Sequence, residues 1–319
     1  MDAVTRDPST GRLNPLPPHP ALQPWETRYE VDEMLEFMNS LNYVPWLAVV
    51  AYVASIYALE TSMKRRPAFS LRKAMAAWNA FLALFSLFAT LRMGVSFFYN
   101  VQHFGFSHCT CATGRAKEDP TAYLWTMIFS FSKILEFGDT YFILLRKQKL
   151  IFLHWYHHAS VLLFTWFNTA RAEEAGGWFC LMNAAVHTLM YSYYFLRAMR
   201  VSVPRELMML ITISQIAQMV MGIMLCGYVS VTKMRGLPCN MSNLILTCAI
   251  LMYLSYFVLF VDFFRKTYRK SAQKRRKSSF LDGKEEIPRE KNEIHVVGKL
   301  SVNGISRRKS ATYSEFIQG

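Results

Sequence analysis

Residues 133–158 read KILEFGDTYFILLRKQKLIFLHWYHH and combine two strongly apolar runs with a concentration of charged residues and histidines. Outside the short basic break at 146–149, these are Lys133, Glu136, Asp139, His154, His157 and His158. On a helix, residues three and four apart share a face, so the three histidines form one imidazole cluster and Lys133 lies one turn from Glu136. Ionisable groups inside hydrophobic segments are costly, so this concentration predicts a functional site.

The rest of the chain predicts a membrane frame around this stretch. The 319 residues are 52% hydrophobic and 15% aromatic. Their apolar residues gather into runs close to the ~20 residues that a helix needs to cross a bilayer. The runs are residues 44–59, 74–98, 123–145, 150–167, 178–196, 206–231 and 244–264. We therefore predict an all-α polytopic membrane protein with about seven transmembrane helices.

The net charge of +14 is compatible either with nucleic-acid binding or with membrane topology. Lys and Arg concentrate in short loops at 64–73, 146–149 and 197–205, and in the tail after residue 265. This distribution favours topology, because basic loops stay on the cytosolic side of a membrane. We expect a non-cytosolic N-terminus, a cytosolic C-terminus and no nucleic-acid partner.

Composition divides the chain into a polar segment at 1–43, a seven-helix membrane domain at 44–264 and a basic, disordered tail at 265–319. The first segment is proline-rich and has no apolar run, so we expect it to have no core of its own. It does not resemble a cleavable signal peptide, and the first membrane helix is expected to act as the targeting signal.

The cysteines give an independent check on the topology. Cys109 and Cys111 fall in the second predicted loop and Cys239 in the sixth, both on the non-cytosolic side, where disulfides persist. We predict one disulfide, from Cys239 to Cys109 or to Cys111, since sequence does not set the pairing. Asn240 begins an Asn-Met-Ser glycosylation sequon in the sixth loop.

The histidines are candidates for metal ligands or for acid, base and nucleophile groups. Membrane di-iron desaturases and hydroxylases use HxxHH boxes, but they need about eight imidazoles to hold two irons. Only His154, His157, His158 and His187 of this chain lie in the membrane frame, so we predict no metal site. A neutral imidazole can attack an activated acyl group such as a thioester. A proton-coupled transporter is a further alternative, in which Glu136, Asp139 and the histidines relay protons.

Two further polar stripes recur at helical spacing. His187 shares a stripe with Met190, Tyr191 and Tyr194, and Cys180 lies on the same face. We interpret Met190 and Tyr194 as packing residues, and Cys180 as a small core residue. The second stripe is Thr212, Gln215 and Gln218, whose amides either join helices or bind a ligand. Two roles are possible for Lys133, Glu136 and Asp139: they form a structural salt-bridge network, or they take part directly in catalysis.

Together these motifs resemble the ELO family, the elongases of very-long-chain fatty acids. The motifs in chain order are Lys133-x-x-Glu136-x-x-Asp139-Thr140, His154-x-x-His157-His158, His187-x-x-Met190-Tyr191-x-Tyr193-Tyr194 and Thr212-x-x-Gln215-x-x-Gln218. The resemblance covers roughly residues 46–262, and four motifs in series are a specific signal.

The resemblance implies a very-long-chain 3-oxoacyl-CoA synthase, an acyltransferase of the endoplasmic reticulum membrane with a lumenal N-terminus. It condenses a long-chain acyl-CoA with malonyl-CoA and releases carbon dioxide and CoA. About seven helices form two three-helix units around an enclosed substrate tunnel. His157 would accept the acyl group beside His187, while His154 and His158 orient groups and shuttle protons. A histidine or Lys133 would stabilise the developing oxyanion.

The same resemblance implies substrates and partners. The implied substrate-binding residues are Lys133, Glu136, Asp139, Tyr191, Tyr194, Gln215 and Gln218. No cofactor is expected, since NADPH serves only later enzymes of the cycle. Expected partners are membrane lipids, the ketoacyl reductase, the dehydratase, the enoyl reductase and a second copy of the chain. The tryptophan at position 155, within the histidine box, resembles the pattern of the family branch that elongates saturated and monounsaturated chains near C16.

Overall fold

The computed structural model describes residues 23–26, 28–112 and 119–282, with side chains described as far as residue 267. Within these ranges the chain is helical and contains no strand, which confirms the all-α prediction. Its helices are α1 Val31–Ser40, α2 Val44–Met63, α3 Arg72–Cys111, α4 Pro120–Leu135, α5 Phe137–Leu145, α6 Phe152–Ala170, α7 Gly176–Ala198, α8 Arg205–Met234 and α9 Asn243–Asp282.

Four of the described helices are long and apolar enough to cross a membrane, namely α2, α3, α8 and the part of α9 that ends at Thr267. The helices between α3 and α8 are shorter or carry the charged and histidine residues described above. This composition confirms a polytopic membrane protein. The count of about seven spans, and their grouping into two three-helix units, stay predictions.

The predicted helix at 123–145 is wrong as a single element, because the chain bends at Glu136 and forms α4 and α5. The bend replaces one full helical turn by a tighter one, in which Asp139 N–H donates to the Glu136 carbonyl at 3.1 Å. Two local features accompany it. Gly138 has low helix propensity, and the Glu136 side chain turns back to Lys133. Glu136, which lies at this break between α4 and α5, is buried.

The segment before the first predicted membrane helix packs on the bundle. Helix α1 buries Val31, Met34 and Met38 against α4 and α6, so this part shares the core of the membrane domain. Just before it, the Glu26 carboxylate is fully buried and accepts hydrogen bonds from Arg92 and from Trp125 Nε1. Residues 1–22 lie outside the described residues.

The other boundary corrections concern α3 and α9. Helix α3 continues past residue 98, so Cys109 and Cys111 lie in its last turns rather than in a loop. Gly105 interrupts this extension with a φ of 81°, a conformation that glycine adopts without strain. At the other end, α9 stays helical to Asp282, where composition predicted disorder from residue 265. The rest of the tail, 283–319, lies outside the described residues.

A disulfide joins Cys111 at the end of α3 to Cys239 in the loop between α8 and α9. Cys109, the alternative partner, is buried and does not take part in this disulfide. The next residue, Asn240, donates its backbone N–H to the Cys111 carbonyl at 3.0 Å. This crosslink fixes the predicted glycosylation sequon beside the bundle, and its occupancy stays a prediction.

Candidate active site

A cavity of about 180 Å³ lies among α3 and α5 to α9. It is lined by all four histidines that the sequence placed in the membrane frame, which are His154, His157, His158 and His187. Much of the remaining wall is apolar or aromatic, and Phe260 and Phe263 of α9 close one side. The arrangement joins a cluster of imidazoles to an apolar chamber.

Helix α6 carries three of the histidines on its first turns. The ring centroids of His154 and His158 are 4.5 Å apart, and those of His157 and His158 are 5.4 Å apart. His154 Nε2 lies 3.0 Å from the Thr140 hydroxyl, which in turn lies 2.6 Å from the Tyr52 hydroxyl. These contacts fix the His154 ring against α5 and α2.

His157 is held differently from its neighbours. Its ring is partly exposed to the cavity and makes no hydrogen bond to the described residues. Its backbone carbonyl accepts a hydrogen bond from the Tyr256 hydroxyl at 3.2 Å, and the two rings pack with centroids 5.0 Å apart. The backbone and one ring face are therefore positioned, while the ring nitrogens stay available to a ligand.

Glu136 is the centre of a buried charged group behind the cavity. Its Oε1 accepts a hydrogen bond from Lys133 Nζ at 2.7 Å and lies 3.4 Å from His187 Nδ1. Its Oε2 lies 4.0 Å from His158 Nδ1. Both side chains of the ion pair are almost fully buried. Pairing is what makes a buried carboxylate tolerable here, so the contact with Lys133 has a structural role.

Asn183 belongs to this group, although sequence reasoning missed it. Its Oδ1 accepts a hydrogen bond from Lys133 Nζ at 2.9 Å, and the residue lines the cavity. It lies on α7 one turn before His187, and this spacing of four was the signal that could have found it.

Asp139 has both carboxylate oxygens occupied. Tyr191 donates to Oδ2 at 2.7 Å, and Trp78 Nε1 donates to Oδ1 at 2.7 Å. Trp78 approaches α5 closely because residue 138 is glycine, where a Cβ would lie 2.6 Å from the indole ring. Asp139 therefore orients Tyr191 and the α3 wall of the cavity. The tryptophan was not among the predicted residues, since nothing in the α3 sequence marks its partner.

The chain matches the ELO: GNS1/SUR4 family over residues 37–276. The chain belongs to the ELO family. It is 41% identical over 219 residues to the very long chain fatty acid elongase 6 of Drosophila melanogaster, covering 68% of this chain and 69% of that protein. The elongase 6 of Homo sapiens is 40% identical over 244 residues, 76% and 91% of the two chains. The elongase 3 of Mus musculus is 36% identical over 247 residues, 77% and 90%.

In this ELO chain, the fold brings the four motifs to one cavity. Tyr191, Tyr194, Gln215 and Gln218 line it together with the histidines, whereas Lys133 and Glu136 stand behind the wall. The Gln215 amide contacts the Met190 sulfur at 3.4 Å. Thr212 also lines the cavity, on the stripe shared with the two glutamines. Cys180 packs among apolar residues, as its interpretation as a core residue anticipated.

A metal centre has no ready set of ligands in the part of the chain that the structure describes. No group of three or more His, Cys, Asp or Glu residues there has an arrangement that could hold a metal ion. The Glu136 carboxylate, which lies nearest the histidines, already pairs with Lys133.

Proposed function

We propose that this ELO chain is a 3-oxoacyl-CoA synthase that condenses a long-chain acyl-CoA with malonyl-CoA. The observation that carries the proposal is the position of four histidines around one largely apolar cavity in a chain of this family. The imidazoles supply nucleophile, acid and base groups, and the apolar wall suits a fatty acyl chain.

The preferred substrate in this proposal is a saturated or monounsaturated acyl-CoA near C16. The elongase 6 relatives and Trp155 in the histidine box support this branch. Much of the cavity wall near the histidines is apolar or aromatic, including Met190, Met219 and Phe260, and suits the fatty acyl tail. Burial of each CH₂ contributes ~0.8 kcal/mol, so chain length affects binding strongly.

The first half of the reaction transfers the acyl group to His157. Its neutral imidazole attacks the thioester carbonyl carbon, a C–N bond forms as the C–S bond breaks, and CoA leaves as a thiolate that takes up a proton. His154 and His158 lie beside it and relay protons. Glu136 lies close to His158 and His187, where its charge offsets positive charge that develops on these rings.

The second half joins the two substrates. Malonyl-CoA loses carbon dioxide, and the electron pair of the broken C–C bond stays on the α-carbon as an enolate. This carbon attacks the acyl-imidazole carbonyl, so that a C–C bond forms and the C–N bond to His157 breaks. The products are carbon dioxide, CoA and a 3-ketoacyl-CoA lengthened by two carbons. No cofactor takes part, and NADPH would serve only the later enzymes of the cycle.

The proposed setting is the endoplasmic reticulum membrane, with the N-terminus in the lumen. The Cys111–Cys239 disulfide supports this orientation, because it lies at the end of the bundle opposite the basic loops. The basic loops face the cytosol and suit the phosphates of CoA. The enzymes that act next, a ketoacyl reductase, a dehydratase and an enoyl reductase, are the expected partners.

The test is an assay of condensation with purified full-length protein in detergent. Acyl-CoA chains from C12 to C22 are supplied with malonyl-CoA and no NADPH, and products are followed by mass spectrometry. We expect a 3-ketoacyl-CoA and equal carbon dioxide release, greatest near C16. The His157→Ala variant should lose at least the ~10²–10⁴-fold that acid, base or nucleophile catalysis supplies.

His103→Ala is the matched control, because His103 is an exposed histidine of α3 outside the cavity. It should retain normal turnover. Full activity in the His157 variant would remove His157 from the reaction. Return of both substrates unchanged by folded wild-type protein would contradict the proposed function.

A further inference from the structure

Asn183 is a neutral amide between a buried ammonium group and the cavity. It is 9% exposed, lies on α7 one turn before His187, and contributes to the cavity wall. Its only hydrogen bond in the described part of the chain is with Lys133 Nζ, at 2.9 Å. A buried amide whose N–H donors are both unused, on the wall of a cavity lined by histidines, is a candidate for contact with substrate.

The chemistry of lysine fixes which way this amide points. An ammonium group donates hydrogen bonds and accepts none, so the amide oxygen of Asn183 must face Lys133. The amide nitrogen then points away from Lys133. Nδ2 makes no hydrogen bond to the described residues, and the residue borders the cavity that also contains His157 and His187. The amide nitrogen therefore has N–H donors without a partner among the described residues, at the wall of the cavity that also holds the histidines.

Lys133 itself is in no position to serve as this donor. Its side chain is completely buried, and its ammonium group contacts Glu136 at 2.7 Å, Asn183 at 2.9 Å and the Phe129 ring at 3.9 Å. It does not line the cavity. Its effect reaches the cavity through Asn183, because a positive charge at the amide oxygen polarises the amide and strengthens its N–H donors.

We propose that Asn183 is a catalytic residue whose Nδ2 donates a hydrogen bond to the acyl oxyanion, and this rests on the proposed condensation. When the His157 nitrogen bonds to the thioester carbon, the C=O π pair moves onto the carbonyl oxygen. Asn183 stabilises that charge until the C–S bond breaks and CoA leaves. The same donor acts when the enolate attacks the acyl-imidazole, until the C–N bond breaks. A fixed donor of this kind contributes most where charge develops in the transition state.

The decisive variant is Asn183→Asp, which keeps an acceptor for Lys133 and the shape of the side chain but removes both N–H donors. We expect kcat to fall about 10²–10³-fold, the usual effect of losing one oxyanion donor. Binding of a palmityl thioether analogue of CoA, which lacks the carbonyl oxygen, should change less than about twofold. Asn183→Thr, whose hydroxyl accepts from Lys133 and donates to substrate, should recover part of the activity.

Asn243→Asp is the control, because Asn243 is exposed at the start of α9, outside the cavity, and the same substitution there should leave turnover unchanged. A kcat within about tenfold of wild type in Asn183→Asp would overturn the role, since a donor loss costs more than that. A loss of affinity for the thioether as large as the loss of kcat in Asn183→Asp would also overturn the role. So would a folded Asn183→Thr variant that is as inactive as Asn183→Asp. Wild-type protein without condensing activity would instead refute the proposed function.

Discussion

The buried Lys133–Glu136 pair allows a quantitative separation of stability from activity. Lys133→Met leaves the Glu136 carboxylate buried without its ammonium partner, and Glu136→Gln leaves the ammonium buried without its carboxylate. Removing one member of a buried pair costs about 3–5 kcal/mol, because the remaining charge is desolvated and uncompensated. A change of 1 kcal/mol shifts Tm by about 2–4 °C in proteins of 150–250 residues, so each single variant should lose roughly 6–20 °C.

The double variant carries no buried charge at this place and should recover most of that loss. Thermal unfolding in detergent, followed by intrinsic fluorescence, measures all three variants. Lys266→Met is the matched control, because Lys266 pairs with Asp262 on the exposed face of α9, where an ion pair contributes less than about 1 kcal/mol. Activity should stay low in the stable double variant, since His158 and His187 lose their carboxylate. A Lys133 variant as stable as the Lys266 control would refute this reasoning, as would losses that simply add in the double variant.

Two further predictions concern close packing and a buried carboxylate. Gly138→Ala should destabilise the protein by about 1–3 kcal/mol, because the added Cβ would lie 2.6 Å from the Trp78 ring. Gly227→Ala is the control, since a Cβ there meets no atom within 4 Å. Unfolding curves that match for the two variants would contradict the packing argument. Burial raises the pKa of Glu26, but hydrogen bonds with Arg92 hold this pKa below its usual value. The carboxylate therefore contributes to the free energy of unfolding at pH values above the ordinary carboxyl range. That contribution is lost as pH falls through the lowered pKa. The Tm difference between wild type and Glu26→Gln should be greatest near neutral pH and shrink on acidification; a difference that grows instead would show the sign to be wrong.

Spacing along single helices predicted much of the candidate site. The sequence placed His154, His157 and His158 on one face of a helix, and the structure puts all three at the cavity. It also placed His187 and Tyr191 on one stripe, and both line the same cavity. These predictions succeed because helical periodicity is a local property that the order of residues along the chain reveals.

Contacts between helices were beyond the same reasoning. The hydrogen bond from Lys133 to Asn183 joins α4 to α7. The hydrogen bond from Trp78 to Asp139 joins α3 to α5. Trp78 is not marked in its own helix, whereas Asn183 is marked only by its spacing of four residues from His187. Neither signal identifies the partner on the other helix. The bend at Glu136 was missed for a related reason, since the apolar pattern continues through it.

The ends of helices were predicted less accurately than their existence, because composition does not separate a polar helix end from a loop. The helical extension of α9 to Asp282 and the last turns of α3 contain polar residues that resemble loop or tail composition. The disulfide pairing was also open, since Cys109 and Cys111 are two residues apart and only the three-dimensional path of α3 selects Cys111.

In the proposed mechanism, His157 carries the acyl group between the two halves of the reaction. The most direct measurement mixes enzyme with palmitoyl-CoA alone and follows free CoA in the first turnover, before malonyl-CoA is added. We expect a burst of CoA close to one per enzyme, a palmitoyl adduct on the peptide that contains His157, and loss of both in His157→Ala. Condensation by wild-type enzyme with no CoA released until malonyl-CoA is present would contradict the acyl-enzyme.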